Sequence, residues 1–252
     1  MNAAARWRVG LIVGLIVLLE LATRLAWINP VSFIPPSMMV LSAWRLLVSG
    51  QYTTDIAQTL GSALLAVVLA VVVGFVGGVL LFRLPRLRRV LDPLLLSYYA
   101  VPVFVLYPIL IVIFGLNRWP LVGIGFLFAV VAMAVNTLNG LERVPRVLLR
   151  TARVCRMNAF DEIRLITLPS SLPFVFTGIK LTVVYAFIAV VAGEFVLSGS
   201  GFGYQIAFAY NAFDNPTMYG LMVLMLIFVA TLNALLRTAE TRLYRRIRRE
   251  AA

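Results

Sequence analysis

Six apolar runs, each close to the length needed to cross a bilayer, alternate along this chain with short polar segments. They cover residues 9–28, 56–82, 91–114, 119–138, 173–197 and 218–236. About 20 mostly apolar helical residues cross about 30 Å of hydrocarbon. A helix also satisfies its own backbone groups where there is no water to do so. An all-α, polytopic membrane fold with six transmembrane helices is therefore expected. Composition points the same way: 62% of the 252 residues are hydrophobic and 13% are charged. One transmembrane domain is expected over 9–238, with 1–8 as a cytoplasmic N-terminus, 141–172 as a cytoplasmic loop and 239–252 as a basic cytoplasmic tail. A cleavable signal peptide would have an apolar core of about 7–15 residues ending at a small-x-small site. The first run fits neither requirement and reads as a retained helix.

The net charge of +12 follows the same alternation. Eighteen of the 22 basic residues lie before the first run, after the second, after the fourth and after the sixth. Only Arg45 and Arg118 fall in the alternate loops, and Arg24 and Lys180 lie inside runs. Basic residues accumulate on the cytoplasmic side, so both termini and the 141–172 loop are expected to face the cytoplasm, with attraction to anionic lipid heads as a secondary effect. The tail over 242–249 follows a span directly and carries one aromatic, Tyr244. It reads as an anchor at a lipid surface, not as a nucleic-acid surface.

Several chemistries are absent. The chain has no histidine, which removes His-based triads, histidine proton relays and H-E-x-x-H zinc sites. Its single cysteine, Cys155, can form neither an intrachain disulfide nor a thiolate cluster by itself. No metal site is expected. No G-x-x-x-x-G-K-[ST] loop occurs, so any coupling to ATP must come from another chain.

Within the runs, local residues set further expectations. Residues 29–55 carry Asn29, Pro30, Pro35, Pro36 and Gly50 and read as a loop with room for one short surface helix. Gly74 and Gly78 stand in G-x-x-x-G spacing, which allows close helix packing or a subunit contact. Asp92 and Pro93 resemble an N-cap and first helical residue and are expected to start the third span. Pro102 and Pro108 should kink or unwind it. Glu20 and Arg24, four apart, are expected to pair.

The longest polar stretch, 141–172, exceeds what a span-to-span connection needs. Val147, Leu148, Val154 and Cys155 lie among arginines over 146–156, a pattern for one short amphipathic helix. Asn158 can cap a second helix, with Asp161 three residues on, and Pro169 should end it. Phe160, Ile163 and Thr167 would share one face. Two short helices with an apolar ridge and charged flanks form a docking surface for a cytoplasmic partner.

The run Arg150-Thr151-Ala152, then Arg156, then Ile166-Thr167-Leu168-Pro169 has the spacing of the EAA loop and resembles that of ABC importer permeases. Further landmarks resemble the nitrate, sulfonate and taurine branch of that family: Ile34-Pro35-Pro36-Ser37, Asp92-Pro93, Val101-Pro102, Phe114-Gly115, Asn136-Thr137 with Gly140, Pro173, Gly178-Ile179-Lys180, Ala192-Gly193-Glu194 and Gly201-Phe202-Gly203. The resemblance covers nearly the whole chain. It implies a type I importer fold and a permease subunit in the cytoplasmic (inner) membrane of a bacterium. That subunit would form the pathway for a small solute: an organic or inorganic anion such as a sulfonate, taurine or nitrate, or a small heterocycle. It also implies a second permease subunit, an extracytoplasmic solute-binding protein, and ATPase subunits that supply ATP and Mg, with no cofactor held by this chain. The coupling residues it implies are Arg150, Thr151, Ala152, Arg156, Phe160, Ile163, Leu168 and Pro169.

Three positions depart from that pattern. The family's glutamate is Arg150, its first alanine is Thr151, and its glycine is Arg156. A pocket that accepts glutamate would repel this loop unless the ATPase supplies acidic groups. Two readings stay open: a heterodimer with a second permease carrying the standard loop, or drift in a loop that docks through its apolar ridge.

Candidate pathway or gate residues are Glu194, Tyr98, Tyr99, Asn136 and Tyr185. An intramembrane carboxylate is a functional candidate by default, although Glu194 can equally cap the loop after its span. Lys180 can snorkel to the interface or meet solute. The tyrosines and Asn136 offer hydroxyl and amide groups, or simply pack. The rival functional readings are a stand-alone secondary carrier or channel, which should show paired intramembrane charges or repeated halves, and an intramembrane enzyme, for which no nucleophile and base are evident.

Overall fold

The computed structural model describes residues 3–29 and 33–250. Pro30, one of the expected loop breakers, and the extreme ends of both expected terminal segments lie outside them. Every regular element among the described residues is helical: α1 (Ala3–Arg24), α2 (Pro36–Ser49), α3 (Thr53–Arg83), α4 (Pro85–Ser97), α5 (Tyr107–Phe114), α6 (Trp119–Glu142), α7 (Arg146–Val154), α8 (Ala159–Glu162), α9 (Leu168–Leu197), α10 (Phe202–Asn211) and α11 (Asn215–Glu250). Four helical stretches among the described residues are long and apolar enough to cross a membrane: Thr53–Arg83, Trp119–Glu142, Phe160–Asn211 and Asn215–Arg242. A bent pair, Pro85–Ala100 with Val103–Phe114, makes a fifth if taken as one span. The first expected run lies on α1, which ends at Arg24, four residues short of its expected end.

The bend falls where Pro102 was expected to disturb the third span. Two single-turn 3₁₀ segments, Tyr98–Ala100 and Val103–Leu106, separate α4 from α5, and the two arms meet at 94°. Pro102 supplies no donor and sits in extended backbone at the break (φ −71°, ψ 95°). Pro108 has a different effect: in the first turn of α5 its missing N–H is one of the unpaired helix-start donors, so it begins a helix and does not kink one.

Two start and stop signals are corrected. Asp92 and Pro93 do not begin the third span, because Pro85 already occupies the first turn of α4 and the helix runs through both. The Asp92 carboxylate instead accepts a hydrogen bond from Arg88 Nε, one turn back, at 3.3 Å. Pro169 does not end the second loop helix. A widened turn over Ile163–Thr167, in which the Leu168 N–H bonds to the Ile163 carbonyl five residues back, lies directly before it. Such a turn relieves the clash between a proline ring and the preceding turn, so helix continues from Ala159 into α9 and through Pro173.

The chain forms two compact units. One comprises Met1–Gln58 and Glu194–Asn233, the other Thr59–Gly193 and Ala234–Ala252. In the first, the expected Glu20–Arg24 pair forms at 2.7 Å, and the Glu20 carboxylate also accepts the Ser37 N–H at 3.0 Å and hydroxyl at 2.7 Å, which fastens α1 to the start of α2. Phe202, Ile206, Ala209, Met218 and Leu221 form its core, with Leu46, Tyr52 and Ile56 packed on them.

In the second unit, α3 meets α6 along small residues. A Cβ at Gly74 would stand 2.6 Å from the Met133 Cβ and the Val130 carbonyl oxygen. One at Gly78 would stand 2.6 Å from the Ala134 carbonyl oxygen and the Thr137 Cβ. The G-x-x-x-G spacing therefore serves helix packing within the chain, where backbones approach because no side chain intervenes.

Candidate functional site

The loop after α6 is built from its backbone outward. α7 closes on a left-handed cap: the Met157 N–H bonds to the Ala152 carbonyl at 3.0 Å, and Arg156 takes φ +52°. That six-to-one bond around a left-handed residue is a Schellman cap, a position that glycine fills with least strain. Arg156 is thus the substituted glycine of the resemblance, at the one backbone conformation of the loop that favours glycine. Ala152 is fully buried and fixes α7 by its inner side. Arg150 is exposed, and the Thr151 hydroxyl bonds back to the Val147 carbonyl at 3.1 Å. Replacing Arg156 with glycine should stabilise the protein by about 1 kcal/mol by removing left-handed strain, less the added chain entropy of glycine; the unfolding midpoint in detergent reads it, and an unchanged or lower midpoint contradicts it.

The second loop helix begins as expected, with Asn158 Oδ1 accepting the Asp161 N–H at 2.8 Å. Phe160 and Ile163 are 68% and 42% exposed. Thr167, expected on the same face, is half-buried, while Leu168 is 44% exposed. The widened turn adds one residue per turn and rotates the following face by one position, so the ridge continues through Leu168. Pro169 lies half-buried behind it. The ridge has apolar side chains uncovered by the rest of the chain and arginines at its flanks.

A second feature lies among α4, α6 and α9. A cleft of about 490 Å³ is lined by Arg88, Asp92, Tyr99, Asn136, Asn139 and Tyr185, with apolar residues such as Leu181 between them. Tyr99, Tyr185 and Phe128 form an edge-to-face cluster with ring centroids 5.7–6.0 Å apart. Three expected pathway residues, Tyr99, Asn136 and Tyr185, are therefore brought together. Tyr98 packs edge-on against Tyr99 at 5.8 Å but does not line the cleft, and its hydroxyl donates to the Leu127 carbonyl at 2.7 Å. Asn136 Nδ2 donates to the Ala132 carbonyl at 2.8 Å. Arg88, Asp92 and Asn139 are further lining residues that were not among the expected pathway residues. Their helical spacings, Arg88 to Asp92 and Asn136 to Asn139, were available to group them. The Arg88 guanidinium also bonds to Glu142 at the end of α6.

Glu194 stands elsewhere, in the first unit, and is 2% exposed. Its carboxylate accepts the Gly203 N–H at 3.0 Å, and Asp55 accepts the Gly201 N–H at 3.1 Å, so two carboxylates meet the N-terminal end of α10. Gly201 adopts φ +100°, and a Cβ there would lie 2.4 Å from the Glu194 carboxyl carbon. This geometry is the capping alternative for Glu194. Lys180 pairs with Glu240 of α11 at 3.0 Å. Among the described residues, no group of three or more acidic, cysteine or histidine side chains forms a metal site.

Residues 66–249 match the family described as the binding-protein-dependent transport system inner membrane component. A probable ABC transporter permease protein of Brucella melitensis is 30% identical over 205 residues, covering 80% of this chain and 82% of the relative. A nitrate import permease protein of Leptolyngbya laminosa is 27% identical over 210 residues, covering 80% and 74%. Among solved structures, an inward-facing methionine ABC transporter, MetNI, gives a TM-score of 0.65 at 21% identity, covering 79% of this chain and 98% of that one.

Proposed function

We propose a function from one premise: the chain belongs to the family of binding-protein-dependent transport system inner membrane components. It is a multi-pass membrane protein and a permease subunit of an ABC transporter of the importing kind, and its fold resembles that of a type I permease. We read α1, the bent α4–α5 pair and the four long stretches as six spans, in a bacterial inner membrane with both termini and the α7–α8 loop cytoplasmic. The subunit itself catalyses nothing. A separate ATPase binds ATP and Mg, docks on the loop, and drives movement of the spans; an extracytoplasmic binding protein delivers a small solute.

The observation that carries this reading is the Phe160, Ile163 and Leu168 ridge, apolar and uncovered on the helix that follows α7, which buried Ala152 anchors. Exposed apolar clusters with a charged rim mark partner surfaces. Purification of the tagged chain from its native host in mild detergent, with mass spectrometry and an ATPase assay, should recover an ATPase subunit. Recovery of the chain alone, stable and without ATPase activity in repeated preparations, would move the assignment to a secondary carrier. Arg150 and Arg156 favour pairing with a second, different permease that carries the standard acidic loop. Two identical copies with no other permease in the purified transporter would sink that pairing.

A further inference from the structure

We infer that the cleft among α4, α6 and α9 is a solute site that takes an uncharged, planar ring with hydrogen-bonding edges, in preference to an anion. The inference rests on the permease reading, since it names the solute class of the same pathway.

Charge comes first. Arg88 is the one cation among the lining residues, and its guanidinium is engaged by Asp92 at 3.3 Å and also by Glu142. Arg88 and Asp92 together leave the lining neutral, and Glu142 makes the local group net negative. An arriving anion would have to displace a carboxylate from the guanidinium and then face it. An arriving cation would meet carboxylates that the guanidinium already holds. An anion therefore finds no unpaired cation among the lining residues, whereas a neutral solute needs none.

Shape and hydrogen bonding supply the rest. Tyr99 and Tyr185 belong to an edge-to-face aromatic cluster, which presents ring surface to a flat solute. Asn136 and Asn139, one helical turn apart on α6, each carry a carbonyl and an amide group, so the wall can both donate to and accept from a ring edge. About 490 Å³ accommodates a single ring, within the usual range for small-molecule sites. The break in the helix beside Tyr99 agrees, because irregular backbone at membrane depth belongs next to protein or a water-filled cavity.

The test uses the transporter purified with its ATPase, with exposed Cys155 replaced by serine and a single reporter cysteine at Val135→Cys or, in a second preparation, Leu181→Cys, both lining the cleft. Thiol labelling rates are followed with uracil, nitrate, methanesulfonate or tetramethylammonium present at up to about 10 mM, roughly tenfold above the upper end of ordinary KM values. Uracil should slow labelling about tenfold near saturation, since only unoccupied protein reacts, and the three ions should leave it unchanged. Protection by an ion and not by uracil overturns the solute class. Labelling that no solute slows, or two cysteines that never label, overturns the site. Retention of the ATPase in the same preparations reports on the permease reading separately.

Discussion

Phe160→Ala combined with Ile163→Ala strips the ATPase from the purified permease while leaving the amount of permease in the membrane unchanged. Both side chains are exposed in the chain alone, so their removal opens no cavity and costs little fold stability. In the assembled transporter they would fill a partner cleft, where a buried aromatic or aliphatic anchor is worth about 2 kcal/mol or more. Losing both should lower retained ATPase activity by more than about thirtyfold. Unchanged retention would place the docking energy elsewhere. Arg150→Glu then tests what the ATPase presents to the loop. If the partner supplies acidic groups, this reversal weakens docking about as much as the double substitution. If the apolar ridge alone carries docking, retention changes little.

The long helices were legible because hydrocarbon permits few alternatives: 56–82 and 119–138 fall inside α3 and α6. Their ends were less legible. The Asp92-Pro93 signal resembled a start, but Pro85 gave an equally good one earlier, and only three-dimensional position shows that Asp92 serves Arg88. Pro169 resembled a stop because a widened turn leaves no mark in residue type. The same turn explains why Leu168, and not Thr167, extends the ridge, since one added residue rotates every later side chain.

The candidate sites divide along similar lines. Tyr98 and Tyr99 are equivalent in composition, yet consecutive helical residues point in different directions, and only Tyr99 lines the cleft. Arg88 and Glu142 are 54 residues apart, as Lys180 and Glu240 are 60 apart. No periodicity links such pairs, because the fold alone brings them together. Arg156 was legible as a departure, but its left-handed backbone was needed to show what the departure costs.

Gly78→Val should be the most damaging single substitution among those considered, and Gly77→Val, its neighbour, should be nearly silent. A Cβ at Gly78 would stand 2.6 Å from the Ala134 carbonyl oxygen and the Thr137 Cβ, whereas one at Gly77 meets nothing within 4 Å. The obstruction at Gly78 is partly main chain, so no rotamer change on α6 relieves it and the two helices must separate. Overpacking of this kind costs about 3 kcal/mol or more, against about 0.5 kcal/mol for a surface position. The unfolding midpoint of the detergent-solubilised transporter measures the difference, and equal midpoints for the two variants would show that α3 and α6 do not pack this closely. The consequence extends beyond stability. α6 carries Asn136 and Asn139 into the cleft and ends at Glu142, immediately before the docking loop. Moving α6 off Gly78 therefore displaces the cleft wall and the base of the loop together. Gly78→Val should for that reason reduce solute-stimulated ATPase activity at temperatures where the transporter is still folded, while Gly77→Val retains it.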